Sequence, residues 1–315
     1  METIEWLLES DPAIRWQAMR DLTEVQAETI AEERARVAQE GLGAAILARQ
    51  KQDGSWRREG APAWRTTLFT MQLLRATGID PANATVQAAM ARLEAGLRWN
   101  ELGCGWELRA RETGGNTFFE GEVEPCINGG ALAAGTYFGR PTESLARRLV
   151  TEQLEDGGWN CEAPKSSRSS FHTTICVLEG LLEYERAAGA TAEITASRRK
   201  GEEYLLARGL CRRLSTGEIA NAEFLECAFP PRYHYDLLRG LDYFRAAGGA
   251  ADARMADAVH IVECKRQGDG RWLLDACYDE GLGLDFDKKV GEPSRWNTLR
   301  ALRVLRWYGG VGSAS

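Results

Sequence analysis

Residues 153–159 read Gln-Leu-Glu-Asp-Gly-Gly-Trp, and the pattern recurs at 50–56 as Gln-Lys-Gln-Asp-Gly-Ser-Trp and at 267–272 as Gln-Gly-Asp-Gly-Arg-Trp. A degenerate copy, Gly103-Cys104-Gly105-Trp106, lies between the first two. Each copy closes a helical stretch. Before the first, Leu42, Ala45, Ile46 and Ala48-Arg49 carry helical spacing, and Asp53-Gly54 then breaks it. Glycine supplies the positive φ that stops a helix. The Trp is left to pack back across the helix ends, with the Gln bonding exposed backbone groups nearby. A motif recurring in this way is the signature of a repeat architecture.

A second helix is expected shortly after each motif. The starts superpose: Ala63-Trp-Arg-Thr-Thr-Leu68, Glu124-Pro-Cys-Ile-Asn-Gly129, Ser170-Phe-His-Thr-Thr-Ile175, Arg232-Tyr-His-Tyr-Asp-Leu237 and Ser294-Arg-Trp-Asn-Thr-Leu299. A sixth, Arg15-Trp-Gln-Ala-Met-Arg-Asp-Leu22, mirrors 295–302. Neighbouring starts lie 46 to 62 residues apart, room for one helical hairpin and its loops. These second helices are apolar and rich in small residues, as in Gly129–Gly135, and read as an inner set. The first helices carry charged faces, as in Ala196–Arg208, and read as an outer set. No Val/Ile-rich alternating segment suggests a strand. Six such hairpins close into an all-α (α/α)6 toroid, six inner and six outer helices in a single domain spanning 1–315. The stretch Leu210–Pro230 reads as a loop inserted over its mouth.

Composition narrows the function. A net charge of -7, scattered along the chain, argues against a nucleic-acid surface. No apolar run approaches the ~20 residues of a membrane span. Residues 1–10 carry Glu2, Glu5 and Glu9 without a basic segment, unlike a secretory signal. A cytoplasmic location is therefore expected, with the eight cysteines free, catalytic or metal-binding.

The register of the starts places Trp16, Arg65, Cys126, His172, His234 and Trp296 at one equivalent position. If the inner helices run parallel, these side chains form one layer at one rim. Imidazole and thiolate are good zinc ligands, and Glu124 stands two residues before Cys126. The expected metal site is Glu124, Cys126 and His172, with His234 as a fourth ligand or an acid/base. Cys161 reads as a buried loop thiol, with a further ligand or a reactive thiol as alternatives. Tyr233, His234 and Asp236 are the candidate proton-handling groups. Asp236 can orient a histidine or act as a favourable charge at its helix N-terminus. Arg65, Arg232 and Arg295 are candidates to hold an anionic group or are solvated side chains. Trp16, Trp64, Trp99, Phe118, Phe119, Trp296 and Trp307 line an apolar cavity or form plain core. His260, among Val259, Ile261 and Val262, reads as structural.

The Gln…Asp-Gly-x-Trp repeats resemble the QW motifs of squalene-hopene cyclases, and the chain as a whole resembles the terpene cyclase and protein prenyltransferase superfamily. The match to a cyclase acid motif is incomplete, since Asp285-Phe-Asp287-Lys288 lacks a final Asp, and no Asp-Asp-x-x-Asp metal motif is present. Locally, Glu124-Pro-Cys126 and the segment Lys165–Thr174 with His172 resemble the two zinc-binding elements of protein prenyltransferase β subunits. Phe118-Phe-Glu-Gly-Glu-Val-Glu124 stands where that family carries the basic residues that bind diphosphate. The resemblance implies a zinc-dependent lyase, hydrolase or transferase acting on an apolar, isoprenoid-like small molecule. A non-catalytic lipid- or terpenoid-binding protein and a repeat scaffold for protein binding are the alternatives. The resemblance also implies a separate α subunit for a prenyltransferase, and no partner chain is evident in the sequence.

Overall fold

The computed structural model describes residues 3–99, 115–278, 282, 284, 287 and 289–312. The degenerate motif at 103–106 lies outside them. Regular structure among the described residues is helical, with isolated bridges but no strand. The α-helices are α1 Thr3–Leu8, α2 Pro12–Leu22, α3 Ala27–Arg36, α4 Gly41–Leu47, α5 Ala63–Ala76, α6 Ala84–Gly96, α7 Pro125–Tyr137, α8 Glu143–Thr151, α9 Phe171–Ala188, α10 Ala192–Leu206, α11 Leu237–Ala247, α12 Ala256–Cys264 and α13 Arg295–Gly312. No helix is long and apolar enough to cross a membrane, among the described residues. The chain clusters into two compact units, one of residues 1–42, 205–279 and 285–315, the other of residues 43–204 and 280–284.

The three Trp motifs build the same clamp three times. Trp56, Trp159 and Trp272 are each 0% exposed. Each indole N–H donates to the carbonyl ten residues earlier: Ile46 at 2.8 Å, Leu149 at 2.7 Å and Val262 at 2.7 Å. Each Trp backbone N–H donates to a threonine hydroxyl of the following helix: Thr67, Thr174 and Thr298, at 3.1, 3.1 and 3.0 Å. The clamp thus ties the end of one helix to the start of the next. Gln50 and Gln153 reach further, donating to Ala89 and Ser197 carbonyls at 2.8 Å each. Gln267 departs from them and bonds the nearby Lys265 carbonyl. Glycine is required inside the motif: Gly54 has φ +83°, and a Cβ there would meet the Leu93 nitrogen at 2.3 Å.

In the second unit α7 packs against α5, α8 and α9. Helices α7 and α9 touch backbone to backbone. A Cβ on Gly129 would lie 2.5 Å from the Cys176 carbonyl oxygen, and one on Gly180 would lie 2.6 Å from that of Gly129. Contacts advance together, Gly129 with Cys176 and then Leu132 with Gly180, so these two helices run parallel. In the first unit α13 packs between α2 and α11. There Arg300 faces Asp236 and Arg303 pairs with Asp242, while along α2 Arg303 donates to Gln17 at 3.2 Å and Arg306 to the Asp21 carbonyl at 3.1 Å. This ascending order makes α2, α11 and α13 parallel.

Two helix starts depart from their expected places, and the first is that of α2, which begins at Pro12, three residues ahead of Arg15. The start expected at Arg232 is delayed, and α11 begins at Leu237. Pro230-Pro231 is followed by a turn in which His234 N–H bonds the Pro231 carbonyl at 2.8 Å and Arg232 adopts φ 55°. Asp236 then caps the helix, its carboxylate accepting the Arg239 N–H at 2.7 Å. His234 therefore sits in the turn, whereas Cys126, His172 and Trp296 are each the second residue of a helix.

Candidate metal centre

The start of α7 is set by a polar clasp. Asn128, fully buried, accepts the Glu122 N–H at 2.7 Å and returns its amide to the Glu122 carbonyl at 2.9 Å. Gly121, at φ +80°, makes room: a Cβ there would meet Asn128 Oδ1 at 2.5 Å. The clasp fixes Glu124 as the N-cap residue and Cys126 in the first turn. The loop from Trp159 to α9 is closed by Ser170 N–H bonding the Trp159 carbonyl at 2.8 Å. Asn160 spans it, donating to the Arg168 carbonyl at 2.6 Å. That loop delivers Cys161 to the N-terminal ends of both parallel helices.

Cys161 Sγ lies 2.9 Å from Cys126 Sγ and 3.4 Å from Thr173 Oγ1. Cys126 Sγ lies 3.7 Å from Glu124 Oε2. One ligand atom each from Glu124, Cys126 and Cys161 fall within 4.8 Å of one another, and all three residues are half-buried. The two thiols behave as a hydrogen-bonded pair. Their mutual hydrogen bond, together with burial, pushes Cys126 well above the usual thiol range. The same hydrogen bond lowers Cys161, with Thr173 contributing in the same direction.

Of the expected ligands, Glu124 and Cys126 come together; His172 is not part of the trio. Cys161 takes the third place, in the role weighed as an alternative to a buried loop thiol. His234, Tyr233 and Asp236 belong to the first unit. There His234 stacks between Tyr233 and Tyr278, with ring centroids 4.1 and 3.6 Å away. Asp236 is buried, and that burial raises its carboxyl against the pull of Arg300. Arg232 is buried and donates to the Tyr278 carbonyl at 3.0 Å. Trp16 is buried with Arg20 and Arg34 over its ring. Trp296 stacks on Phe229 at 4.4 Å and borders a cavity of about 270 Å³ with Ile14, Leu42, Asp287 and Arg295. In the second unit Arg65 is half-buried, and Phe118 is fully buried between Trp99 and Phe119 as plain core. His260 is exposed on α12, 3.5 Å from Cys264 Sγ.

No protein-family model and no curated protein matches the chain. Among solved structures it is similar to a crystal structure of a protein from Actinoplanes, at 16% identity and a TM-score of 0.46, over 95% of this chain and 90% of that one.

Proposed function

We propose that the chain is a zinc-dependent enzyme built on an (α/α)6 toroid of the terpene cyclase and protein prenyltransferase type, with Glu124, Cys126 and Cys161 as the metal ligands. The carrying observation is the convergence of two thiols and a carboxylate at the shared end of two parallel helices. The donor set suits zinc, which takes Cys sulfur at ~2.3 Å and carboxylate oxygen at ~2.1 Å and keeps an open place at catalytic sites. Tetrahedral edges built from those lengths are about 3.6 Å for S–O and about 3.8 Å for S–S. The Glu124–Cys126 separation of 3.7 Å meets the first. The 2.9 Å between the sulfurs is shorter than the second, so the two thiols must lose their protons and open by about 0.9 Å to ligate. Zinc bound there would supply Lewis-acid polarisation of a substrate oxygen or activation of water. The Asn128 clasp fixes the Glu122 backbone two residues before Glu124, and the Thr173 hydroxyl lies 3.4 Å from the Cys161 sulfur. An apolar, isoprenoid-like substrate is the class implied by the resemblance, and lyase, hydrolase and transferase outcomes fit it equally.

Metal analysis of the purified protein after zinc supplementation and desalting tests this reading. Wild type and His172→Ala are expected to retain about one zinc per chain, the ligand set of a single catalytic site. Cys126→Ala and Cys161→Ala are expected to retain little. Metal-free wild type overturns the reading; full loss in His172→Ala restores the histidine to the ligand set. Mass spectrometry of copurifying small molecules identifies the substrate class.

A further inference from the structure

Seven cysteines lie among the described residues, none of them in a disulfide. Cys176, Cys211 and Cys227 are buried, Cys264 is exposed beside His260, and Cys277 is half-buried. Only Cys126 and Cys161 bring sulfur to within 2.9 Å of sulfur among the contacts observed. A disulfide needs about 2.05 Å. The remaining gap, about 0.9 Å, is smaller than the sweep of a single side-chain torsion. Cys126 is fixed on the first turn of α7, but Cys161 sits on the loop between Trp159 and α9, the part of the pair that can yield. Both residues are half-buried, so a small oxidant reaches them.

We infer that Cys126 and Cys161 form a redox-active dithiol that a hydroperoxide closes into an intramolecular disulfide. The Cys161 sulfur attacks the distal peroxide oxygen and breaks the O–O bond, giving a sulfenic acid on Cys161 and releasing an alcohol, or water from hydrogen peroxide. The Cys126 sulfur then attacks the sulfenic sulfur, forms the S–S bond and expels water; its proton leaves with that water. In sum two thiols are oxidised by two electrons, and one hydroperoxide is reduced to alcohol plus water. A thiol reductant reverses the change. Resting further on the reading that these residues ligate zinc, the oxidised state loses two of three donor atoms and releases the metal, which makes the site redox-controlled.

The full-length protein is treated with hydrogen peroxide, its remaining thiols are alkylated, and it is digested with trypsin. The two cysteines fall in separate peptides, 112–147 and 149–165, each with a single cysteine. The expected product is these peptides joined with the loss of two hydrogens, in most molecules, and separated again by dithiothreitol. In Cys126→Ser the joined product disappears and the sulfenic acid on Cys161 is trapped by dimedone. Recovery of both peptides separately alkylated, or joined instead to other cysteines, overturns the inference. Zinc content measured before oxidation keeps the two readings apart. Metal-free protein that forms the link supports the dithiol and removes zinc, whereas zinc-loaded protein that forms no link even after chelation removes the dithiol alone.

Discussion

Replacing Thr174 with valine deletes one hydroxyl and keeps the shape and β-branching of the side chain. In the structure that hydroxyl accepts the Trp159 backbone N–H at 3.1 Å, and both residues are 0% exposed. The substitution opens no cavity, so its cost is that of leaving a buried N–H unpaired, about 1–3 kcal/mol. Unfolding entropy of ~2.1 cal/mol/K per residue gives about 0.66 kcal/mol/K for this length, so the midpoint falls by about 2–5 °C. Thermal unfolding followed by far-UV circular dichroism measures the shift, and hydrogen exchange at Trp159 reports the local loss. Thr67→Val and Thr298→Val make the same change in the other two clamps and are expected to cost the same within a factor of two. Unchanged melting together with unchanged exchange at Trp159 would refute the claim that the threonine holds the motif.

Gly180→Ala places a Cβ 2.6 Å from the Gly129 carbonyl oxygen, where backbone meets backbone. Overpacking of about 1–3 kcal/mol outweighs the ~1 kcal/mol helix-propensity gain, so urea denaturation shows a net loss. A more stable variant contradicts the close approach of α7 and α9. Asp242 is buried, which favours its neutral acid, yet Arg303, Arg245 and Arg300 hold its carboxyl well below the usual range. A folded-state pKa below the unfolded one means stability present above about pH 4 and lost as pH falls further, because the unfolded chain binds the proton first. Asp242→Asn is therefore strongly destabilising at pH 7, and its gap from wild type narrows toward pH 3; a gap independent of pH in melting curves counts against the ion-pair cluster. Asn128→Ala releases the clasp on the Glu122 backbone that sets the start of α7, on which Glu124 and Cys126 stand, and is expected to weaken zinc binding by about 10–100-fold, as loss of a supporting partner does; unchanged affinity in a competition assay with a chromophoric chelator removes the clasp from the site.

Helical class and repeat were legible in the chain because their causes are local. Each Asp-Gly turn falls five or six residues past the end of α4, α8 or α12, and the Trp just after it reaches back ten residues to the same carbonyl at Ile46, Leu149 and Val262. The register of helix starts followed from the same spacing and put Cys126 and His172 at matching second positions of α7 and α9. It failed at Trp16, the fifth residue of α2, and at His234, where Pro230-Pro231 imposes a turn and moves the cap to Asp236. The tertiary structure alone decided which donors meet. Cys161 stands in a loop whose path depends on bonds from Asn160 to Arg168 and from Ser169 to Asp156, and no periodicity reports such contacts. A thiol on a loop can be carried to either side of a helix end, whereas a thiol on a helix is placed by its neighbours in sequence; that difference made Cys126 readable in advance and left its partner to the fold.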